Sequence, residues 1–165
     1  MTIFGAGHDA AEQTIGLLAG QGLTVGTAES LTGGLVAATL TTVPGASAVF
    51  RGGIVAYAAD LKASLLAVPS DLLDRVGAVH PDVALAMAGG ARERLGADVG
   101  LATTGVAGPD PADGWQVGTV HIAVSTPARA VHASLTIDGT RAEIRHATVD
   151  HVLELLVRTL MEANA

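Results

Sequence analysis

Residues 27–34, "TAESLTGG", place one carboxylate, three hydroxyls and two adjacent glycines between the apolar runs Leu23-Thr24-Val25 and Leu35-Val36-Ala37-Ala38. A strand that ends in a turn whose glycines open a helix presents free N–H groups and the positive end of a helix dipole at the carboxyl edge of a sheet. Such a place binds oxyanions. Ser30 stands just before Thr32, Gly33 and Gly34, so its hydroxyl can attack a carbonyl whose oxygen the amides of the turn then hold. The other reading of the same residues is structural, with Ser30 or Thr32 capping the helix. The spacing matches neither the mononucleotide P-loop nor the G-x-S-x-G elbow of hydrolases.

A serine nucleophile needs a base, and "AYAADLK" supplies Tyr57 at the end of a strand and Lys62 five residues later. Lysine ordinarily titrates near 10.4, so accepting a proton at neutral pH requires a depression of some three units, about 4 kcal/mol. Burial among apolar groups can supply it. Lys62 is the sole lysine, and the other eight cations are arginines, which cannot serve as bases. A solvated surface lysine is the alternative.

A second strand-ending loop, "TTGVAGPD" (103–110), would lie at the same sheet edge if its strand runs parallel to the first. Its hydroxyls and amides, from Thr104 and Gly105 onward, can line the same pocket, or form an ordinary Gly-Pro turn. Arg141 and Arg145, four apart at the start of the last helix, share a face and suit a phosphate, or pair with Glu143 or Asp138 on a solvated face. Metal chemistry finds little support. His146 and His151 are five apart, H-E-x-x-H is absent, and His121 and His132, expected as cross-strand neighbours, lack a third ligand. Trp115 on the long loop covers a ligand or a dimer contact, or simply packs.

The elements that must position these groups follow from periodicity and punctuation. Helices are expected over 8–20, 35–43, 60–67, from Ser70 as N-cap through "DLLDRV", from Pro81 through "DVALAMAGGARERLG", and from Asp138 or Thr140 to about Met161. Val83, Met87, Ala91 and Leu95 fall on one face, as do Ile144, Val152, Leu155 and Leu156. Strands are expected over 23–28, 47–57 with an interruption at Gly52-Gly53, and 98–105, with an antiparallel hairpin from 117–125 and 130–137 turning at Thr126-Pro127. The result is one domain over 1–165, a three-layer α/β/α sandwich with a mixed, mostly parallel sheet and a late antiparallel hairpin.

Composition bounds the function. Hydrophobic residues make up 49% of the 165 but aromatics only 2%, so Ala, Val, Leu and Ile must build a closely layered core. A net charge of −7 with nine scattered cations offers no basic stripe to a nucleic acid. No apolar run approaches the ~18 residues of a membrane span, and no secretory leader opens the chain. With no cysteine there is no disulfide, thiolate site or cysteine nucleophile, and a cytoplasmic protein is expected.

With "TAESLTGG", "PGAS", "FRGGIVAY", the Tyr57-to-Lys62 spacing, "GAV" at 77–79, "TGVAGPD", "VGTV" and "DGTR" in order along nearly the whole chain, the sequence resembles the CinA C-terminal family, including its stand-alone nicotinamide-nucleotide amidases. The resemblance implies hydrolysis of the amide of nicotinamide mononucleotide to nicotinate mononucleotide and ammonia, in pyridine-nucleotide recycling, without metal or cofactor. It implies Ser30 as nucleophile, Lys62 as its base and Tyr57 as an aid to orientation or proton transfer. Ser47, Thr104, Gly105, Gly108 and Arg145 would fall in or near the pocket, and the protein would be a homodimer. The chain departs from the family pattern at Ala59, often Asn, and at His80, often Ser. A non-catalytic nucleotide-binding or interaction module of the competence- and damage-inducible type is the alternative.

Overall fold

The computed structural model describes residues 6–163. In chain order they form α1 (Ala6–Gln21), β1 (Val25–Glu29), α2 (Leu35–Thr41), β2 (Phe50–Val55), α3 (Ala59–Leu66), α4 (Ser70–Val76), α5 (Pro81–Leu95), β3 (Val99–Gly105), β4 (Thr119–Ser125), β5 (Ala130–Thr136) and α6 (Arg141–Glu162). The sheet order is β2-β1-β3-β4-β5. β1 pairs in parallel with both β2 and β3, while β4 is antiparallel to β3 and β5. Four of the five strands therefore run one way, with β4 reversed, and helices cover both faces as a three-layer α/β/α sandwich.

The two faces differ in side-chain size, and strand alternation explains why. Val25, Val99, Leu101, Val120, Ile122 and Val124 point to one side and build the larger core with α1, α2 and α6. The opposite face carries Gly26, Ala28, Gly100, Ala102 and Ala123, against which α5 packs, with α3 against α5. Small residues let the helices approach closely: a Cβ on Gly100 would collide with the carbonyl oxygen of Ala88, and one on Gly90 with that of Leu66. The second contact sets α3, and Lys62 with it, against α5.

Several expectations are corrected. Residues 46–48, at the start of the expected 47–57 strand, form a 3-10 turn entered through Gly45 at φ 89°, and the strand begins only at Phe50. Ser70 is the first residue of α4 rather than its cap, because Pro69 occupies the N-cap position without a side-chain bond. The hairpin register pairs His121 with Ser134 and Ala123 with His132, so the two histidines are diagonal neighbours. The hairpin closes through Thr126 and Arg129, which sets the pairing two residues from the expected one. Thr140 rather than Asp138 caps α6, in a capping box with Glu143. Among the described residues no helix is long and apolar enough to cross a membrane.

The adjacent pair Gly89 and Gly90 separates helix propensity from packing. Gly89 faces open space, so Gly89→Ala is expected to stabilise by about 0.5–1 kcal/mol. Gly90→Ala must push α3 from α5 and is expected to destabilise by about 1–3 kcal/mol. Urea denaturation of the two variants checks both signs.

Candidate active site

β1 delivers Ser30 to the carboxyl edge of the sheet, where its amide still bonds to the Thr103 carbonyl of the parallel neighbour β3. Lys62 reaches the same point from α3. Its Nζ donates to Ser30 Oγ at 3.0 Å, to the carbonyl of Ala56 at 2.7 Å and to that of Tyr57 at 3.5 Å. Two carbonyls at the end of the β2–α3 link thus aim the amine at the hydroxyl. Lys62 is 1% exposed and Ser30 8%. Burial pulls the amine down to about 8, against a smaller upward pull from the Asp113 carboxylate. At neutral pH an appreciable fraction is an unprotonated amine, able to take the proton of the alcohol it touches.

The two residues open into a cavity of about 230 Å³ lined by both, with Tyr57, Ala78, Thr104, Gly105, Gly108, Asp110, Asp113 and Arg141 among its walls. That is smaller than the ~300–1,000 Å³ of sites for drug-sized ligands, so it accommodates a single ring or amide group with the remainder of a larger molecule outside. Arg141 holds the rim: its guanidinium donates to the carbonyl of Gly108 and, at 2.8 Å, to the Tyr57 hydroxyl. Tyr57 is largely exposed, and its phenol engages Arg141 rather than the Ser30–Lys62 pair.

Other expected site residues lie just behind this cavity. The carboxylate of Glu29, 1% exposed, accepts from the amides of Gly34, Val36 and Ala37 and so occupies the N-terminus of α2. Gly33 donates its amide to the Ser30 carbonyl, and that of Leu35 goes to Thr32. The glycine amides are therefore committed to the protein, and among the described residues the turn's amides left for a ligand are those of Leu31 and Thr32. The Thr32 hydroxyl is fully buried against Thr103 Oγ1 at 2.7 Å. Arg145 donates to the carbonyls of Leu31 (2.9 Å) and Thr32 (3.1 Å), bracing the Ser30 turn from α6 instead of facing the cavity. Neither arginine pairs with Glu143, whose carboxylate caps α6. Ser47 sits apart, exposed on the 3-10 turn beside a separate depression.

The two departures from the family pattern also fall outside the cavity wall. His80 is the N-cap of α5, where its Nδ1 accepts from the amide of Asp82 at 3.2 Å, the bond a serine hydroxyl would make there. Ala59 opens α3 and lines a neighbouring groove. Trp115 packs edge-on to His121, with ring centres 5.6 Å apart. Among the described residues no group of three or more His, Cys, Asp or Glu is placed to hold a metal ion.

Glu29 and Asp113 are the site residues that sequence reasoning left unassigned. Asp113 Oδ2 accepts the Ala78 amide at 3.0 Å, and the Ala78 carbonyl accepts from Thr104 Oγ1 at 2.8 Å, so one residue is held through the peptide groups before and after it.

Holding a depressed amine makes the fold pay for its site in pH-dependent form. An unfolded chain protonates Lys62 near its ordinary value of 10.5, whereas the fold disfavours the charge down to about 8. The penalty is absent above about 10.5, grows as pH falls toward 8 and is constant below it. Lys62→Met is therefore expected to raise Tm at pH 7, with the gain disappearing in alkaline buffer. Thermal melts at both ends of that range check it.

Residues 7–160 match the family model of the CinA C-terminal domain. A CinA-like protein of Frankia casuarinae is 50% identical over 96% of this chain, and a putative competence-damage inducible protein of Desulforamulus reducens is 44% identical over 93%. The chain spans 37% and 38% of the length of those two relatives. Among solved structures, the competence/damage inducible protein CihA from Agrobacterium tumefaciens superposes with a TM-score of 0.91 at 40% identity, over 96% of this chain and 98% of that one. A CinA superfamily protein from Escherichia coli gives 0.90 at 30% identity, over 93% and 90%. With the family model covering nearly all of its length, the chain belongs to the CinA C-terminal domain family.

Proposed function

We propose that the protein is a serine amidase that hydrolyses the amide of a pyridine mononucleotide, nicotinamide mononucleotide, to the carboxylate and ammonia. The observation that carries this reading is the 3.0 Å contact between the only lysine of the chain and Ser30, at a cavity and out of water. A buried amine without a carboxylate in contact is costly to maintain and of no use to a plain helix cap.

In this scheme Ser30 Oγ forms a bond to the amide carbon as its proton passes to Lys62 Nζ. The carbonyl oxygen takes up the negative charge, and the amides of Leu31 and Thr32 are the donors available to it. Lys62 then returns the proton to the departing nitrogen, the C–N bond breaks and ammonia leaves an ester on Ser30. Water attacks that ester while Lys62 accepts its proton, and the free acid departs as Oγ is reprotonated. Thr104 and Ala78 shape the wall on which the ring would rest, and Arg141 at the rim is the cation able to meet a phosphate.

The alternative, a nucleotide-binding module without turnover, rests on anion-binding amides at the glycine turn. Glu29 already occupies the amides of Gly34, Val36 and Ala37 where α2 begins, and nothing in that alternative calls for a buried lysine.

Ammonia release from nicotinamide mononucleotide is expected to fall by about 10³-fold or more in Ser30→Ala and in Lys62→Arg, because arginine cannot accept the proton. In the intact protein kcat/KM is expected to rise with pH and level off above about 8, as the amine loses its proton. Undiminished release by Ser30→Ala, or a profile flat from pH 6 to 9, contradicts the scheme.

A further inference from the structure

We propose that Asp113 is a positioning residue for the Ser30–Lys62 pair, latching the 106–118 loop to the cavity wall at Ala78 and setting the counter-charge that Lys62 faces. The inference rests on the reading of Lys62 as the base and adds a residue to it.

Geometry makes the first half of the case. The Asp113 carboxylate accepts the Ala78 amide across 35 positions of sequence, and Thr104 on β3 donates to the carbonyl of the same residue. Asp113 adopts a left-handed φ of 52°, which Asp tolerates better than most residues, and Gly77 approaches it closely at φ 77°. Two unusual backbone conformations thus meet at this one bond. Ala78, Asp113, Ser30 and Lys62 all line the same cavity, so the latch fixes part of the wall that the pair shares.

The charges around Lys62 make the second half. On its own helix stands Asp60, at the cavity rim stand Asp110 and Arg141, and Tyr57 gives its phenol to Arg141. Glu29 is engaged at the N-terminus of α2. From α5, packed against α3, the buried neighbours are the apolar Val83, Ala84 and Met87. Of all these groups Asp113 alone has a resolved effect on the lysine, and it opposes the larger effect of burial. Asp113 therefore keeps the amine from falling further and holds its basicity near the working pH, where a proton acceptor is most effective.

Because Lys62 is the only lysine, protein grown on 13C-lysine gives one side-chain Cε resonance whose titration reports this amine alone, with or without turnover. In Asp113→Asn the latch can persist while the charge is gone. The midpoint is expected to fall below its value of about 8. The fall should be roughly half a pH unit, the size of one solvent-screened charge pair. The acid limb of kcat/KM is expected to move by the same amount. Asp113→Ala should move the limb equally and raise KM further than Asp113→Asn does, since the Ala78 bond is lost as well. In the unmodified protein, raising the ionic strength should move the resonance midpoint in the same direction, a check that needs no variant to fold. An unmoved midpoint in Asp113→Asn and in high salt overturns the proposal. A midpoint that shifts in protein inactive on nicotinamide mononucleotide would sink the amidase reading and leave the hold of Asp113 on Lys62 intact.

Discussion

Burying one amine against one alcohol is the constraint around which the rest of this structure is arranged. An ammonium taken out of water with no carboxylate in contact is costly, and the protein meets that cost by letting the group titrate lower rather than by pairing it. The same low polarity that disfavours the charge makes the neutral amine a proton acceptor. Two backbone carbonyls and the Ser30 hydroxyl satisfy its donors, so the side chain has one orientation instead of many.

That orientation depends on layers far from the chemistry. α3 can stand close enough because the sheet face beneath α5 is made of glycine and alanine, and because Gly90 leaves room for the Leu66 carbonyl. On the other face, bulky aliphatic side chains from three strands fix α2 and α6. From there Glu29 grips the first amides of α2, and Arg145 grips the carbonyls of Leu31 and Thr32. The Ser30 turn is therefore held on its amide side by an anion and on its carbonyl side by a cation. Both lie outside the cavity, and both leave Ser30 pointing toward Lys62.

Much of this was legible in the residues. The strand-turn-helix around Ser30, the solitary lysine and the strand ending at Gly105 follow from period, glycine punctuation and residue type, which are local signals, whereas the parallel pairing of that strand with β1 is a tertiary fact. The parts that were not legible share one physical cause, in that their partners are backbone atoms distant in sequence. Glu29 beside a serine suggests chemistry, yet it binds three main-chain amides. Arg145 suggests a phosphate, yet it binds two carbonyls. Asp113 finds its partner at the amide of Ala78, which has no side-chain signature at all. Register errors had a different origin: the turn at Thr126 and Arg129 placed His121 opposite Ser134, and a glycine at positive φ turned the start of an apolar run into a 3-10 turn before Phe50.

The proposed activation of Ser30 by Lys62 can be measured without any assumption about the substrate, by following how fast a small sulfonyl fluoride modifies the protein across pH and mapping the modified residue by mass spectrometry. A single label on Ser30 is expected, with a rate that climbs to a plateau above about 8 and almost no labelling in Lys62→Met. A label elsewhere, or modification of Ser30 at an unchanged rate once the amine is removed, would contradict it.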